Sequence, residues 1–287
     1  SPNQIEKYGP AWAWDDIIED FSPERNSFPV YGNVIMITKL ENGKLKVKPD
    51  IFDVNLDSTF NQSHIRQENK NLFTINPLKI ELKDTLFIPY IVSEETTNSL
   101  IKFITGKKVI TKSSEIINPK ILYSKIPEKI YQAILKKSDN LISESLLANV
   151  GYIYTDTVSV DNGIDKTLEK LGPEIQNGVE WFDGSGLSRY NMVKPKTIIY
   201  ILSEIYNYWG LERIKENFPN NYIIEDKEDF VWGKTGTLKN NHNYSGFITN
   251  KKGKYYIFSI MINHFNSELS DISQSIVDFL LYVNKNG

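Results

Sequence analysis

The sequence contains no cysteine and only three histidines, His64, His242 and His264. Without cysteine the chain can form no disulfide, no thiolate zinc site and no thiol nucleophile. The histidines show neither an HExxH motif nor another close spacing, which argues against a histidine metal site. A Gly-x-Ser-x-Gly elbow, which would hold the serine of a Ser-His-Asp triad, is also missing. No metal and no organic cofactor is implied.

Charge and hydropathy exclude further classes of protein. The formal net charge is −3 and the longest basic clusters are lysine pairs, so a nucleic-acid partner has no electrostatic support. No apolar run is long enough for a transmembrane helix. The chain starts with Ser1 rather than Met and shows no signal peptide, so we expect that an upstream segment has been removed. Its 287 residues allow one large domain or two smaller ones.

Hydrophobic periodicity divides the chain into β-rich and helical stretches. An aromatic and proline cluster at residues 8–16 precedes a stretch of strands and turns, with strands predicted at residues 30–38, 45–48 and 86–92. Helices are predicted at residues 94–107, 126–137, 141–150, 165–171 and 195–209. The end reads as three strands and a helix, at residues 230–238, 244–249, 255–263 and 272–283, with a hairpin turn at residues 251–254. This order indicates an α+β fold.

Three short segments contain residues suited to catalysis. They are Ser138-Asp139-Asn140 at a helix junction, the stretch from Asp183 to Arg189, which reads Asp-Gly-Ser-Gly-Leu-Ser-Arg, and Lys234-Thr235-Gly236-Thr237 on a strand. Alone, each has a structural explanation: a helix N-cap, a turn and an exposed strand end. Together and in this order they indicate an active site, because Ser-Asp-Asn and Lys-Thr-Gly are two of the three motifs of penicillin-binding proteins and class A β-lactamases.

The chain resembles the class C low-molecular-mass penicillin-binding proteins, which are D-alanyl-D-alanine carboxypeptidases with endopeptidase activity. The residues that carry the resemblance are 136–147 around the second motif, 183–189 with Pro195 after them, 233–238 followed by 244–247, and 9–16 near the start. The resemblance is weakest in residues from about 35 to 90. The resemblance implies peptidoglycan stem peptide as substrate, β-lactam antibiotics as acylating ligands, and a periplasmic or cell-envelope location.

The motif residues suit the cleavage of a peptide bond by a serine enzyme, which needs an activated hydroxyl, a proton relay and an oxyanion hole. Ser138 can pass a proton to the leaving amine, and Asn140 can orient the substrate backbone or a lysine. Lys234 offers a positive charge to the terminal carboxylate of a D-alanine stem. These three residues are the predicted catalytic residues.

The predicted substrate-binding residues are Thr235, Gly236 and Thr237. The two threonine hydroxyls can hydrogen-bond the substrate carboxylate, and Gly236 keeps the strand bare so that substrate can lie beside it as an added strand. The resemblance places one oxyanion donor at the backbone N–H of Thr237. Asp183, Ser185 and Arg189 are expected to have a structural role.

The first motif of the family, Ser-x-x-Lys, supplies the nucleophile and its base. The spacing occurs once in the sequence, at Ser99-Leu100-Ile101-Lys102, in a helix that resembles part of the family's inserted region. Since the resemblance places the true motif upstream of Trp12, we expect Ser99 not to be catalytic. The chain is therefore interpreted as the C-terminal part of a longer enzyme, and a pseudoenzyme that kept the fold is the alternative.

These observations lead to one prediction of architecture. We expect an incomplete transpeptidase/β-lactamase-like domain, an antiparallel sheet with helices, formed by residues 1–27 and 115–287, and a small inserted β-rich module formed by residues 28–114. The leading function is a serine-type D-alanyl-D-alanine carboxypeptidase or endopeptidase. The alternatives are a non-catalytic peptidoglycan-binding protein on the same fold and, less favoured because of the inserted module and the Asp183 segment, a β-lactamase.

Overall fold

The computed structural model describes residues 5–112, 124–220 and 230–287. The first range contains two small three-stranded sheets and a helix. The elements are β1 (Val34–Lys39), β2 (Leu45–Lys48), β3 (Asp53–Leu56), β4 (His64–Arg66), β5 (Leu72–Ile75), β6 (Thr85–Pro89) and α1 (Glu94–Thr105). One sheet has the order β2-β1-β6 and is antiparallel, and the other has the order β3-β5-β4, in which β3 and β5 are parallel.

These elements share one hydrophobic core. In β1 the residues Ile35 and Ile37 are buried, as the two-residue period of a strand with one covered face requires. They pack with Phe73 and Ile75 of β5 and with Leu100 of α1. The β-rich part thus has a core of its own.

The second range is mainly helical. It contains α2 (Glu128–Lys137), α3 (Asn140–Thr155), α4 (Val160–Leu171), α5 (Pro173–Gln176), the short strands β7 (Val179–Glu180) and β8 (Met192–Val193), and α6 (Pro195–Asn217). Helices α3 and α4 pack through Leu147, Ala148, Val160 and Ile164. Pro195 occupies the first turn of α6, and the helix is interrupted at Gly210, where φ is 70°.

The third range forms an antiparallel sheet and the last helix. The sheet has the order β11-β10-β9 and consists of β9 (Val231–Leu238), β10 (Asn241–Thr249) and β11 (Tyr255–Asn263), followed by α7 (Leu269–Asn286). One face packs against α6 through Trp232 and Phe247. The other face packs against α7 through Val231, Tyr244 and Ile276. The sheet is therefore covered by helices on both faces.

The predicted α+β class and most of its elements are confirmed, with shifted ends. The predicted strand at residues 30–38 was wrong at its start, because residues 31–33 form a 3₁₀ turn and β1 begins at Val34. The prediction missed β3, β4, β5, β7 and β8, which have two to four residues each. The boundary predicted between residues 114 and 115 lies outside the described residues, and the division into domains stays a prediction. No helix in the described ranges is both long and apolar enough to span a membrane.

Candidate active site

Ser138 occupies the last position of a tight helix end. It follows α2 with φ 55° and ψ 41°, which is the left-handed region, and its side chain is exposed. The backbone N–H of Asp139 donates to the carbonyl of Ala133 at 3.0 Å, which closes a Schellman-type turn. Glycine is the usual residue in this conformation, and a serine here carries backbone strain of a kind that is common at functional sites.

The next two residues, at the start of α3, have different hydrogen-bond partners. Asp139 is the N-cap, and its Oδ1 accepts a hydrogen bond of 2.9 Å from the backbone N–H of Ile142. Asn140 directs its side chain elsewhere, and its Nδ2 donates at 2.7 Å to the carbonyl oxygen of Phe21. Because a carbonyl can only accept, this bond fixes which end of the amide is the donor. The Oδ1 of Asn140 is then the end that can accept from a substrate.

Lys234 lies on β9, which is an edge strand of the described sheet. Its side chain is half-buried, and its ammonium group donates to the carbonyl oxygen of Thr235. Burial lowers the pKa of Lys234 below its ordinary value. Ser245 and then Ser259 stand beside Lys234 in register across β10 and β11, and their hydroxyls are 2.9 Å apart. Polar side chains thus cross the sheet in one row.

The alternation of β9 places Thr235 and Thr237 on the face opposite Lys234. Thr235 pairs in register with Tyr244 on the face covered by α7, and the Thr237 hydroxyl lies 2.8 Å from Nδ1 of His242. The predicted role of both threonines in substrate binding stays a prediction. The geometry favours their backbone groups for it, because their hydroxyls do not share the face of Lys234.

Gly236 leaves the face of β9 that carries Lys234 bare at this position. A Cβ built at Gly236 would meet no atom within 4 Å, whereas one at Gly233 would lie 2.8 Å from the carbonyl oxygen of Ser245. Glycine at position 233 is therefore required by the sheet, while at position 236 nothing within the described structure requires it. An extended ligand that lies beside β9 would explain why position 236 is glycine.

One hydrophobic cluster positions both ends of the candidate site. It contains Leu135, three residues before Ser138, and Trp232, two residues before Lys234, together with Leu202, Phe218 and Phe247. Lys234 shares a face of β9 with Trp232, so its side chain points to the side of the sheet on which α2 and α6 pack. The structure thus anchors the end of α2, just before Ser138, and the strand of Lys234 in the same core.

Asp183 accepts more hydrogen bonds than any other carboxylate described. Its Oδ2 accepts from Trp12 Nε1 at 2.8 Å, from the backbone N–H of Ser188 at 2.6 Å and from Ser185 Oγ at 3.2 Å. Its Oδ1 accepts from the backbone N–H of Gly186 and from Asn191 Nδ2. The side chain is 1% exposed. These bonds agree with the structural role expected for this segment.

A second buried carboxylate, Glu144 of α3, joins the same region. Its Oε1 accepts from the backbone N–H of Ser185 at 2.7 Å, and its Oε2 forms an ion pair of 2.7 Å with Arg25. Burial raises the pKa of Glu144, while the positive charge of Arg25 acts in the opposite direction. Sequence reasoning missed Glu144 and Arg25, because nothing in their local sequence separates them from surface residues.

Ser99 and Lys102 lie on α1 and both are exposed. Their helix packs through Leu100 into the core of the β-rich part, not into the cluster that positions Ser138 and Lys234. The helix of Ser99 and Lys102 therefore does not share a hydrophobic core with the other two motifs. Among the described residues, no group of three or more His, Asp and Glu side chains could hold a metal ion.

Comparison with known proteins identifies the family. The model of the family described as D-Ala-D-Ala carboxypeptidase 3 (S13) matches residues 122–283, which is more than half of the chain. The chain therefore belongs to this family. The match includes Ser138, Asn140 and the Lys-Thr-Gly strand.

Two curated relatives match part of the chain. The D-alanyl-D-alanine carboxypeptidase DacB of Haemophilus influenzae is 32% identical over 153 residues, which are 48% of this chain and 32% of the relative. The penicillin-sensitive carboxypeptidase A of Dictyostelium discoideum is 22% identical over 193 residues, which are 61% of this chain and 36% of the relative. The matched stretch thus spans about a third of each relative's length.

The fold is that of a solved penicillin-binding protein. The crystal structure of penicillin binding protein 4 (dacB) from Haemophilus influenzae superposes with a TM-score of 0.72 at 21% identity, covering 99% of this chain and 73% of that one. A structure of the same protein with a β-lactam gives a TM-score of 0.59 and covers 88% of this chain. The expected penicillin-binding fold is confirmed, including the β-rich part.

Proposed function

We propose that the chain is part of a serine-type D-alanyl-D-alanine carboxypeptidase or endopeptidase that acts on peptidoglycan stem peptides. It is the part that contains the motifs of Ser138 and Lys234. The observation that supports the proposal is one hydrophobic cluster that contains both Leu135, three residues before Ser138, and Trp232, two residues before Lys234. Family membership supports the reaction class. The β-lactam bound to the related solved protein supports β-lactams as acylating ligands.

Each residue of the site has a chemical role in this proposal. Lys234 receives the terminal carboxylate of the stem peptide, and its burial makes the charge more effective than in water. Asn140 accepts a hydrogen bond through Oδ1 from a substrate N–H or from a lysine ammonium group, since its Nδ2 already donates to the Phe21 carbonyl. Ser138 passes a proton to the leaving amine from an exposed turn. The edge of β9, with Gly236 and the N–H of Thr237, receives the extended substrate.

We propose that the nucleophile is a residue outside residues 1–287. The support is the position of Ser99, whose helix belongs to the core of the β-rich part and which is exposed there. An upstream Ser-x-x-Lys helix would supply the attacking hydroxyl and its base. We also propose a periplasmic or cell-envelope location, where peptidoglycan lies, and residues 28–114 as an inserted module, supported by its separate core.

Covalent labelling with a fluorescent penicillin tests the proposal. We expect the complete gene product to be labelled and residues 1–287 alone not to be. Replacing Lys234 by Ala in the complete product should remove most labelling while circular dichroism shows an unchanged fold. The matched control is Lys254→Ala, since Lys254 also lies beside the sheet but is exposed.

Each alternative gives a different outcome. A complete product that folds, binds peptidoglycan and is never labelled would be a non-catalytic binding protein, and the enzymatic proposal would be wrong. Labelling of residues 1–287 alone would make Ser99 a candidate nucleophile again. Loss of this labelling in a Ser99→Ala variant would then identify Ser99 as the nucleophile. Rapid release of the label would indicate a β-lactamase.

A further inference from the structure

The buried charges of Glu144 and Arg25 lie outside the roles proposed so far. Their side chains are 2% and 5% exposed, and their charged atoms are 2.7 Å apart. A buried ion pair is a weak source of stability, because desolvation offsets much of the attraction. Fixing a unique arrangement is the other property such a pair can confer, so the elements that it joins are informative.

Glu144 and Asn140 bind the same segment from the same face of α3. They are four residues apart, about one helical turn, so their side chains are neighbours on the helix surface. The segment that they hold is residues 5–27, here called the N-terminal segment. Asn140 donates to the carbonyl of Phe21, and Glu144 pairs with Arg25, four residues further along. Two contacts, four residues apart in sequence on each partner, thus join the segment to the helix.

The N-terminal segment is fixed on its other side by the Asp183 loop. Arg25 stacks over the ring of Trp12, with its guanidinium carbon 5.0 Å from the ring centroid, and Trp12 donates to Asp183. Glu144 closes the ring of contacts by accepting from the N–H of Ser185. A closed circuit of contacts thus fixes Arg25, four residues after Phe21, whose carbonyl accepts from the Asn140 amide.

The loop also approaches α3 too closely for a side chain. A Cβ built at Gly184 would lie 2.8 Å from the carbonyl oxygen of Ser143 and 3.2 Å from the Cα of Glu144. This contact holds the loop against the backbone of α3 beside Glu144. Such packing is what holds the orientation of a site residue within the tolerance that catalysis requires.

We propose that Glu144 is a positioning residue: through Arg25 and the N-terminal segment it holds Phe21 where its carbonyl orients the Asn140 amide. This inference rests on the proposed function, because it assigns Asn140 to the site. Glu144 itself touches no substrate. Its removal leaves Asn140 in place but lets its amide turn, so that the donor and acceptor ends are no longer fixed.

A double-mutant cycle on the complete gene product tests this role. Glu144→Gln, which removes the charge and keeps the shape, should slow acylation by fluorescent penicillin about tenfold. In an Asn140→Ala background the same change should slow it less than about twofold, because the residue through which Glu144 acts is gone. Equal slowing in both backgrounds, or no slowing in the parent, would overturn the proposal.

A matched control separates this role from the loss of any ion pair. Glu128 of α2 pairs with Arg213 at 2.8 Å, nearly the same distance, but is half exposed. Glu128→Gln should change acylation less than about twofold in either background. If Glu144→Gln fails to fold, as judged by circular dichroism, Arg25→Lys keeps a buried positive charge, removes the guanidinium fork and enters the same cycle.

A second measurement does not depend on catalysis. The side-chain amide resonances of Asn140 can be observed in ¹⁵N-labelled residues 1–287 and assigned by their loss in Asn140→Ala. In Glu144→Gln these resonances should move towards the positions of a solvent-exposed amide. In Glu128→Gln they should stay in place. Unmoved resonances in Glu144→Gln would refute the positioning role. A parent protein that is never acylated but shows the shift would refute the proposed function alone.

Discussion

Trp12 donates its indole N–H to Asp183 Oδ2 at 2.8 Å, across 171 residues of sequence. This bond ties the start of the described chain to the loop before α6. Arg189 adds two weaker contacts between the same parts, from its backbone N–H to the carbonyl of Ala11 and from its guanidinium to Asp16 at 3.8 Å. The aromatic cluster near the start is therefore part of the site's framework.

Replacing Trp12 by Phe should destabilise the chain by about 2 kcal/mol, because a buried carboxylate then loses one of its donors. The control is Trp14→Phe, two residues away, where the ring is 84% exposed. We expect the control to change the free energy of unfolding by less than about 0.5 kcal/mol. Urea unfolding followed by circular dichroism measures both, and equal midpoints would contradict the importance of the Asp183 bond.

Gly236 and Gly233 should respond differently to alanine. Gly236→Ala should leave the free energy of unfolding unchanged within about 0.5 kcal/mol, because its Cβ meets nothing within 4 Å, yet it should slow penicillin acylation of the complete product. Gly233→Ala should cost about 1 to 3 kcal/mol, because its Cβ would overlap Tyr244 and Ser245. Normal acylation of Gly236→Ala would argue against substrate lying along β9.

Ser138→Gly should make the chain more stable and less active. Glycine removes the strain of the left-handed conformation at φ 55°, which outweighs its larger entropy in the unfolded chain and gains about 0.5 to 1 kcal/mol. The matched control is Asp156→Gly at the end of α3, which has the same φ. It should gain similar stability without loss of acylation. A Ser138→Gly variant with full acylation would remove Ser138 from the catalytic residues.

His242 should make stability depend on pH. Burial lowers the pKa of His242 below 6.5, so on acidification the unfolded chain takes up a proton before the folded chain does. The free energy of unfolding should therefore fall as the pH falls through 6.5 towards the lowered value in the folded state.

His242→Phe should show a smaller fall than the parent between about pH 8 and about pH 5 in urea titrations. His64 has a pKa shift of the same sign and is present in both proteins, so the difference between the two slopes reports on His242. Parallel slopes would show that His242 is protonated equally in the folded and unfolded states.

Local sequence was sufficient to locate the motifs and most elements. Asp139 and Pro195 mark helix starts through local bonds and geometry, and the long strands of the last sheet show their period. The short strands β3 to β5 are held by pairing across a module, which no local pattern encodes. The hydrogen bond of Thr237 to His242 requires the register of a hairpin to be known.

The support around the candidate site lay beyond sequence reasoning for a physical reason. Asn140 finds its partner 119 residues away in Phe21, and Glu144 finds its own in Arg25 and Ser185. A buried glutamate and a buried arginine look like surface residues until the fold brings them together. The sequence marked the segment from Asp183 to Arg189 as unusual and predicted a structural role for it, but gave no sign of its partners Trp12 and Glu144.

The contact between Trp12 and Asp183 has a consequence for biosynthesis. A ribosome makes the N-terminal segment before its partners on α3 and in the Asp183 loop, which follow more than a hundred residues later. During that interval Trp12 and Arg25 lack the acceptors that hold them in the folded protein, and the β-rich part, with its own core, can fold before them. We expect the order of folding to differ from the order of synthesis, with the β-rich part folding before the N-terminal segment docks.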